Sequence, residues 1–229
     1  MKATIIIDAD SMIYSSALKE TLNEAKECLD IKINNCLSEI QDLNYEIDSF
    51  TICSGSKGNF RKYIDDSYKA NRKDVVLPEF LNELHKYAKT NWSSWYAFGV
   101  ETDDLVASLW KRGVRNNETV IISSIDKDYL QFPCLMYNYN HKTLTDISDV
   151  DALRNFYTQM IVGDSADNIK VCKGKGKVFA TKLLSDKNTK YEMIRAVFSV
   201  YKEFYKGKAR ERFINAYKLL KLRTDVLDR

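Results

Sequence analysis

The sequence predicts an α/β fold, with a mostly parallel central sheet flanked by helices and a helical part at the carboxy-terminal end. Over the first two thirds of the chain, short runs of β-branched residues alternate with stretches of helical spacing, which is typical of strand-helix-strand units. After about residue 149 no further strand-like run occurs, and the remainder is rich in Lys and Tyr. A chain of 229 residues that is 45% apolar can bury a sizeable core.

The predicted elements alternate regularly along the amino-terminal part. Strands are predicted at residues 4–8, 49–53, 95–98, 119–123 and 135–139. Helices are predicted at residues 11–43, as one or two segments, at 78–90, with Pro in the first turn, and at 102–112. The stretch 54–72 predicts a long functional loop. We therefore expect an α/β core over residues 1–148 and a helical part over residues 149–229 that packs on it.

Charge is distributed unevenly along a chain that is nearly neutral overall. The formal charge of +3, from 35 Lys and Arg against 32 Asp and Glu, excludes a strongly basic coat protein of the histone type. Residues 170–190 nevertheless contain seven Lys and one Asp, whereas residues 101–104 contain three acids. This asymmetry predicts a basic surface that binds a polyanion beside an acidic pocket that binds cations.

The cysteines and the amino-terminal region indicate the compartment. Five Cys are scattered without a CxxC pair or a nearby His at ligand spacing, so the sequence predicts neither a zinc site nor a disulfide framework, and a reducing cytosol fits best. The first residues lack the order of a signal peptide, and no apolar run approaches ~18 residues. We expect a cytoplasmic protein that does not contact membranes.

Acidic residues follow the predicted strands repeatedly. In open parallel sheets, ligands bind at the carboxyl ends of the strands, so these acids should converge there. The candidate metal ligands are Asp8, Asp10, Glu101, Asp103, Asp104, Asp126, Asp128, Asp164 and Asp167. Each acid alone is as readily a helix cap or a partner of the helix dipole. Together, however, such carboxylates repel one another and raise their pKa values unless cations neutralise them.

The composition of this cluster indicates which cations it binds. Carboxylates without His or Cys favour the hard ions Mg²⁺ or Mn²⁺ over Zn²⁺. Two such ions roughly 4 Å apart activate a water and stabilise the leaving oxygen in phosphodiester hydrolysis. The residues therefore predict a phosphodiesterase chemistry with two Mg²⁺ ions, for which Mn²⁺ is a substitute.

Four segments carry a set of motifs in a fixed order. They are FRKYIDDSYKANR (residues 60–72), GVETDDLVA (99–107), SSIDKDYLQ (123–131) and GDSADNIKVCKGKGKVFATKLL (163–184). The segments resemble motifs of the flap endonuclease and 5′→3′ exonuclease superfamily, which includes bacteriophage 5′ nucleases and the 5′ nuclease domain of bacterial DNA polymerases. Thr102 stands where that family usually has Ala. With Asp8 on the first strand, the resemblance covers roughly residues 4–185.

The resemblance implies a PIN-like 5′ nuclease core and two metal positions. By this comparison, the first position is served by Asp8, Glu101, Asp103 and Asp104, and the second by Asp126, Asp128, Asp164 and Asp167. One departure matters, because Cys53 or Ser54 stands where the family usually has a further Asp at the end of the second strand. We expect Asp10, just past the first strand, to supply the missing charge.

The cations of residues 60–72 resemble those at the base of the arch over the family's active site. The resemblance implies that Lys69 and Arg72 grip the scissile phosphate and stabilise its developing charge, with Arg61 in the same group. Without the motif, a solvated loop whose cations balance nearby acids would be the simpler interpretation. Tyr63 or Tyr68 is expected to stack on a base near the cut, with Tyr68 the preferred candidate.

The segment after residue 163 resembles the family's helix-three-turn-helix. Its two glycines allow the backbone to approach a phosphate, and the helix that follows directs its N–H groups to the anion. The candidate DNA-binding residues are Lys173, Gly174, Lys175, Gly176, Lys177 and Lys182, besides Tyr68. Hairpins of this type often bind K⁺ through backbone carbonyls, so K⁺ is a candidate ligand here. His85 and His141 are not expected to be catalysts, and Trp92, Trp95 and Trp110 are expected in the core.

These features predict a structure-selective 5′ nuclease that hydrolyses DNA in replication or repair. The expected partners are branched, nicked or 5′-ended DNA and a single-strand binding protein, and a monomer is expected. A chain this compact suits a bacteriophage enzyme in the host cytoplasm. Two alternatives stay open: an RNase H-like 5′ nuclease that removes RNA primers from RNA–DNA hybrids, and a non-catalytic structure-specific DNA-binding protein.

Overall fold

Six strands form one central sheet in this computed structural model, which describes residues 1–228, with the backbone alone for residues 56 and 57. The strands lie in the order β3-β2-β1-β4-β5-β6. Their bounds are β1 Lys2–Asp8, β2 Glu46–Lys57, β3 Ser94–Phe98, β4 Val120–Ser123, β5 Leu135–Asn138 and β6 Thr143–Asp146. All neighbours are parallel except β6, which is antiparallel to β5. The predicted mostly parallel sheet is therefore confirmed, and the unpredicted β6 is an edge strand with little apolar signal.

Helices cover both faces of the sheet and make up most of the chain after β6. Their bounds are α1 Asp10–Ser16, α2 Leu22–Asp42, α3 Leu81–Asn91, α4 Thr102–Arg115, α5 Asp149–Val162, α6 Lys177–Leu184, α7 Lys190–Tyr205 and α8 Ala209–Leu220. The predicted helix over 11–43 is two helices, because Thr21 starts α2 with a capping box in which Glu24 binds back to the Thr21 backbone. Single-turn 3₁₀ segments occur at Phe60–Tyr63, Ala70–Arg72, Lys127–Gln131 and Lys206–Lys208.

The alternation of side chains along β1 builds a core on each face of the sheet. Ile5 and Ile7 pack with α1, α2 and α3, whereas Ile6 packs with Cys53 against α4. β1 therefore lies at the centre of the molecule, and Asp8 at its end emerges on the face that α4 covers.

The carboxy-terminal helices form a third apolar cluster of their own, which α5, α6, α7 and α8 share. The segment after α8 then returns across the core: the backbone N–H of Arg223 donates to Asp104 at 2.8 Å, and that of Val226 donates to Ser108 at 3.1 Å. These contacts join the last residues to the helix that carries part of the acidic cluster. The division at residue 148 stays a prediction.

The three tryptophans do not share one environment. Trp92 and Trp110 are partly buried and pack against the apolar clusters. Trp95, however, is 39% exposed on the edge strand β3, where the guanidinium of Arg112 lies 5.3 Å from its ring centroid. The expectation that Trp95 is a core residue is wrong, because β3 has a neighbour on one side only. Among residues 1–228, no helix combines the length and apolarity needed to span a bilayer.

Candidate metal centre at the carboxyl edge of the sheet

Eight of the nine predicted carboxylates line one cleft of about 350 Å³ at the carboxyl ends of the central strands. They are Asp8, Asp10, Glu101, Asp103, Asp126, Asp128, Asp164 and Asp167. Their convergence follows from the sheet, since β1 and β4 are parallel neighbours and both end at this edge. Asp104, the ninth, lies outside the cleft lining.

Local backbone structure fixes the acids that follow the strands. Asp126 caps the 3₁₀ turn after β4, its Oδ1 accepting from the Asp128 N–H at 2.9 Å. Asp164 begins the turn after α5, where its Oδ1 accepts from the Ala166 N–H at 2.8 Å. Gly163 precedes it with φ +78°, and a Cβ there would collide with the Ile169 carbonyl oxygen. Both loops are therefore shaped by hydrogen bonds that leave carboxylate oxygens facing the cleft.

Three carboxylates are close enough to share one cation. Oxygen atoms of Asp103, Asp126 and Asp128 lie within 4.8 Å of one another. An oxygen-only set of this kind fits a hard divalent cation. The triad mixes residues expected at the first metal position with residues expected at the second, so the geometry does not separate the two expected sets.

Burial without a neutralising cation shifts the titration of these acids. Desolvation, with the charge of Asp10 next, raises the pKa of Asp8 to about 7. Desolvation and the neighbouring Asp126 raise the pKa of Asp128 to about 7, and desolvation and Asp8 raise the pKa of Asp103 well above its usual value. A bound divalent cation would favour the charged forms, so the cleft is electrostatically suited to one.

Lys69 and Arg72 line the same cleft, while their contact with a phosphate stays a prediction. The Lys69 ammonium binds Glu101 and lies 3.5 Å from Asp167, while Arg72 Nη2 donates to Asp167 at 2.8 Å. Burial alone would lower the pKa of Lys69, but Glu101 and Asp167 outweigh burial and raise it. Both cations are therefore charged and placed at the mouth of an anionic cleft.

Arg61 and Asp104 form a buried ion pair instead of contributing to the cleft. Arg61 is 1% exposed and Asp104 is fully buried. The guanidinium donates to both Asp104 oxygens, at 2.7 and 2.8 Å, and its Nε donates to the Leu219 carbonyl at 2.8 Å. The predictions that Arg61 grips the phosphate and that Asp104 binds a metal are corrected here, because both groups are buried and bound to each other, and Arg61 reaches the cleft only through Glu101, to which its Nη1 donates at 3.1 Å.

Tyr68 is also buried, at 3% exposure, and its ring packs in the carboxy-terminal cluster. Its hydroxyl lies 2.8 Å from Glu101 Oε2 and 2.7 Å from Asp167 Oδ2, so it donates to one of these acids at a time. The prediction that Tyr68 stacks on a base is therefore wrong, because the ring is buried and the hydroxyl binds Glu101 or Asp167. Tyr63, at 93% exposure, remains free to contact a ligand.

The strand register places the end of β2 beside Asp8. Cys53 pairs directly with Asp8, and both Cys53 and Ser54, the two residues named for the missing acid, are fully buried. Asp10 lines the cleft, and its Oδ1 accepts from the Gly55 N–H at 2.8 Å. This places a second carboxylate near Asp8. That Asp10 replaces the missing charge stays a prediction.

Sequence reasoning missed the neutral groups that hold the acids. Tyr129 donates its hydroxyl to Asp8 at 3.0 Å, and Ser124 donates to the same oxygen at 3.1 Å. Gln159 on α5 donates to Asp128 at 2.7 Å. Ser124 and Tyr129 lie inside a quoted motif, which was a usable signal, whereas Gln159 had no signal beyond its place on a helix.

The predicted DNA-binding residues lie in the turn before α6 and on that helix. Gly174 has φ +82°, and Gly176 precedes the first residue of α6 with open space where a Cβ would be. Lys173, Lys177 and Lys182 are exposed. The Lys175 ammonium lies 4.3 Å from the Phe179 ring centroid. Basic side chains and open backbone therefore occur together, while the helix-three-turn-helix and K⁺ assignments stay predictions.

Fold and site together define a class of protein, in which an α/β sheet gathers carboxylates for divalent cations at its carboxyl edge. The chain belongs to the family described as 5′-3′ exonuclease, N-terminal resolvase-like domain, which matches residues 3–158. The resemblance drawn from the motifs, to the flap endonuclease and 5′→3′ exonuclease superfamily, is confirmed.

Curated relatives agree with this assignment. The chain is 23% identical over 248 aligned positions to a flap endonuclease Xni of Shewanella sediminis, covering 99% of this chain and 94% of that protein. It is 25% identical to a flap endonuclease Xni of Colwellia psychrerythraea, where the match covers 78% of this chain and 64% of that protein. A DNA polymerase I of Borreliella burgdorferi is 31% identical over 57% of this chain and 16% of its own length.

Solved structures share the fold. A bacteriophage T5 protein co-crystallised with metal ions superposes with a TM-score of 0.72 at 17% identity, covering all of this chain and 92% of that chain. The bacteriophage T5 flap endonuclease in a pseudo-enzyme-product complex with DNA and metal ions gives a TM-score of 0.64 at 13% identity, covering 96% and 99%.

Proposed function

We propose that this protein is a structure-selective 5′ nuclease that hydrolyses DNA phosphodiesters with two divalent metal ions, Mg²⁺ in the cell. The observation that carries the proposal is the convergence of eight carboxylates in one cleft with two cations at its mouth. Membership of the 5′-3′ exonuclease family and the Xni relatives support it. A role in replication or repair and a cytoplasmic location follow as part of the proposal.

The cleft offers enough carboxylate oxygens to act as ligands of two divalent cations. The residues that would hold them are Asp8, Asp10, Asp103, Asp126, Asp128, Asp164 and Asp167, with Glu101 beside them. When bound, such ions supply an activated water and stabilise the leaving oxygen. Because several of these carboxyls have raised pKa values, ion binding must displace their protons.

The chain's own groups position the substrate. A phosphate that enters the cleft competes with Glu101 and Asp167 for Lys69 and Arg72. These two side chains then contact the non-bridging oxygens of the phosphate. The Tyr68 hydroxyl lies within hydrogen-bond distance of both acids and donates to one of them at a time. The substrate phosphate adds negative charge to the cleft, which bound divalent cations would offset.

The exposed lysines of the turn before α6 and of α6 itself bind duplex DNA. Lys173, Lys177 and Lys182 are exposed and lie beyond the second group of acids along the chain. Contacts of this kind go to phosphates, so affinity should fall with salt and depend little on sequence. Branched, nicked or 5′-ended DNA is the proposed substrate, recognised by shape.

A purely DNA-binding role is disfavoured by the electrostatics of the cleft. Buried carboxylates beside a ligand's phosphates repel it, and they lower stability when they ionise without a partner. A protein that only binds DNA gains nothing from such a cluster of carboxylates. A nuclease does, because the cluster binds the two divalent cations that it needs.

A substrate panel tests the proposal. Wild-type protein with Mg²⁺ should cut a 5′-flap DNA and a nicked duplex faster than an RNA–DNA hybrid, and chelation of the metal should abolish all cutting. Hybrid cleavage at the highest rate would favour the RNA-primer alternative. Binding of flap DNA with no hydrolysis in Mg²⁺ or Mn²⁺ would favour the non-catalytic alternative.

A further inference from the structure

A groove of about 930 Å³ continues the acidic cleft on the side of β2 and β3. It shares Asp10 and Arg72 with the cleft, so the two are contiguous. Pockets for drug-sized ligands span roughly 300–1,000 Å³, so this groove has room for a nucleotide and more. Apart from Asp10 and Arg72, no residue of the groove has a role in the proposed function.

The sheet order places the groove opposite the basic turn. The groove is lined from Gly55 on β2 and Tyr96 on β3, on one side of β1. On the other side of β1, β4 leads to Lys127, which lines a small cavity together with Lys177 of α6. The acidic cleft therefore lies between a basic surface suited to duplex DNA and this groove.

The lining of the groove suits single-stranded nucleic acid. Lys86 and Lys89 project from α3, and the Lys89 ammonium lies 5.7 Å from the ring centroid of Tyr96. Tyr96 and Tyr14 are 37% and 38% exposed, so each offers part of a ring for stacking. Cations beside exposed aromatic rings are the pattern by which proteins bind single strands without sequence preference.

The charges that line the groove favour an anion, because its cations outnumber its acids. Asp10 and Glu83 are its acidic members, against Arg72, Lys86 and Lys89. One oxygen of Asp10 is already occupied by the Gly55 N–H. His85 lines the groove, and its Nδ1 is buried without a hydrogen-bond partner among the described residues.

We propose that this groove binds the nucleotides on the 5′ side of the scissile phosphate, which leave as the flap or the released 5′ end. The proposal rests on the proposed nuclease function, because that function places duplex DNA on the opposite side of the cleft. A base stacks on Tyr96, and Lys86 and Lys89 contact the phosphates that follow it. The groove then sets how well a displaced strand is held during cutting.

Kinetics on a flapped substrate test the groove. The double variant Lys86→Ala/Lys89→Ala should lower kcat/KM for a six-nucleotide 5′ flap about tenfold, and Tyr96→Leu should do the same, while Tyr96→Phe keeps the stacking face and the wild-type rate. The matched control is Lys2→Ala/Arg115→Ala, which removes two exposed cations at the opposite end of the sheet. Circular dichroism melts establish that each variant folds.

A photo-crosslink gives a readout that does not depend on turnover. A photoreactive base placed directly 5′ of the scissile phosphate, in the uncut complex of Asp126→Asn, should crosslink to the groove, with Tyr96 as the main adduct. If the wild-type protein cuts none of the DNA substrates, the nuclease proposal is wrong. Wild-type cutting with unchanged flap kinetics in Lys86→Ala/Lys89→Ala, or a crosslink elsewhere, would overturn the groove proposal alone.

Discussion

At the scale of single residues, one buried guanidinium joins three parts of the chain. Arg61 binds Asp104 on α4 and also donates to the carbonyls of Leu219 and Lys221, at 2.8 and 3.3 Å. It therefore links the loop that carries Lys69 to the helix that carries Asp103 and to the end of α8. A motif could show that an Arg stands at position 61, but not that it is buried, since burial depends on the returning carboxy-terminal segment.

Arg61→Met tests this role. Removing one partner of a buried ion pair leaves the other charged and unpaired, so the free energy of unfolding should fall by about 3–5 kcal/mol. Urea denaturation measures it. Arg61→Met/Asp104→Leu, which removes both charges, should recover part of the loss, and a single variant within about 0.5 kcal/mol of wild type would contradict the buried pair.

Asp10→Asn tests whether Asp10 supplies the charge absent at Cys53 or Ser54. Asn keeps an acceptor for the Gly55 N–H, so only the charge is lost. Divalent-metal affinity, measured by calorimetry, should fall about tenfold or more. Asp48→Asn, at the opposite end of the sheet, is the control, and unchanged affinity and activity in Asp10→Asn would refute the substitution hypothesis.

At the scale of elements, the turn after α5 controls two of the acids. Gly163 adopts φ +78° against the Ile169 carbonyl, and the Asp164 N–H and C=O pair with Ile169 in return. Asp164 and Asp167 lie in this turn, so its shape decides where they point. The Gly-Asp pair of the motif foretold the position, although the close backbone approach is visible only in three dimensions.

Gly163→Ala should disturb this turn. A Cβ meets backbone that cannot move aside, and the positive φ is strained for Ala, so we expect a loss above about 1 kcal/mol together with weaker metal binding. Gly207→Ala is the matched control, because it has open space at its Cβ position and no positive φ. Equal melting temperatures for the two variants would show that the turn is not constrained.

At the scale of the whole molecule, the order of elements was predictable and the contacts between them were not. Asp8 and Asp126 could be placed together because acids that follow parallel strands share an edge. The burial of Tyr68 and Asp104 could not, since it depends on α8 and the residues after it. Long-range packing, rather than local pattern, therefore set the limits of the sequence interpretation.

Protonation of the cleft links its metal binding to the stability of the whole molecule. Asp8 and Asp128 have pKa values of about 7 in the folded metal-free protein against 3.8 ordinarily, so between those values the folded state holds more protons than the unfolded state. Metal-free stability should then fall as pH rises through this window and level off above 7. We expect a melting temperature at least about 5 °C lower at pH 8 than at pH 5.5.

Thermal melts with and without Mg²⁺ check this dependence. Mg²⁺ should restore more stability at pH 8 than at pH 5.5, because at pH 8 the carboxylates are already deprotonated. Asp128→Asn should show a weaker dependence on pH in the metal-free state. A metal-free melting temperature that rises over this window would contradict the raised pKa values.

Single-turnover cleavage of a 5′-flap DNA by Asp126→Asn tests the central claim most directly, with DNA affinity measured in parallel. Asp126 belongs to the triad whose carboxylate oxygens lie within 4.8 Å of one another, and it is not among the residues proposed to bind DNA. The account predicts a loss of cleavage of at least about 10²-fold with DNA affinity within a few-fold of wild type. Cleavage at the wild-type rate would show that the acidic cleft is not the site of chemistry.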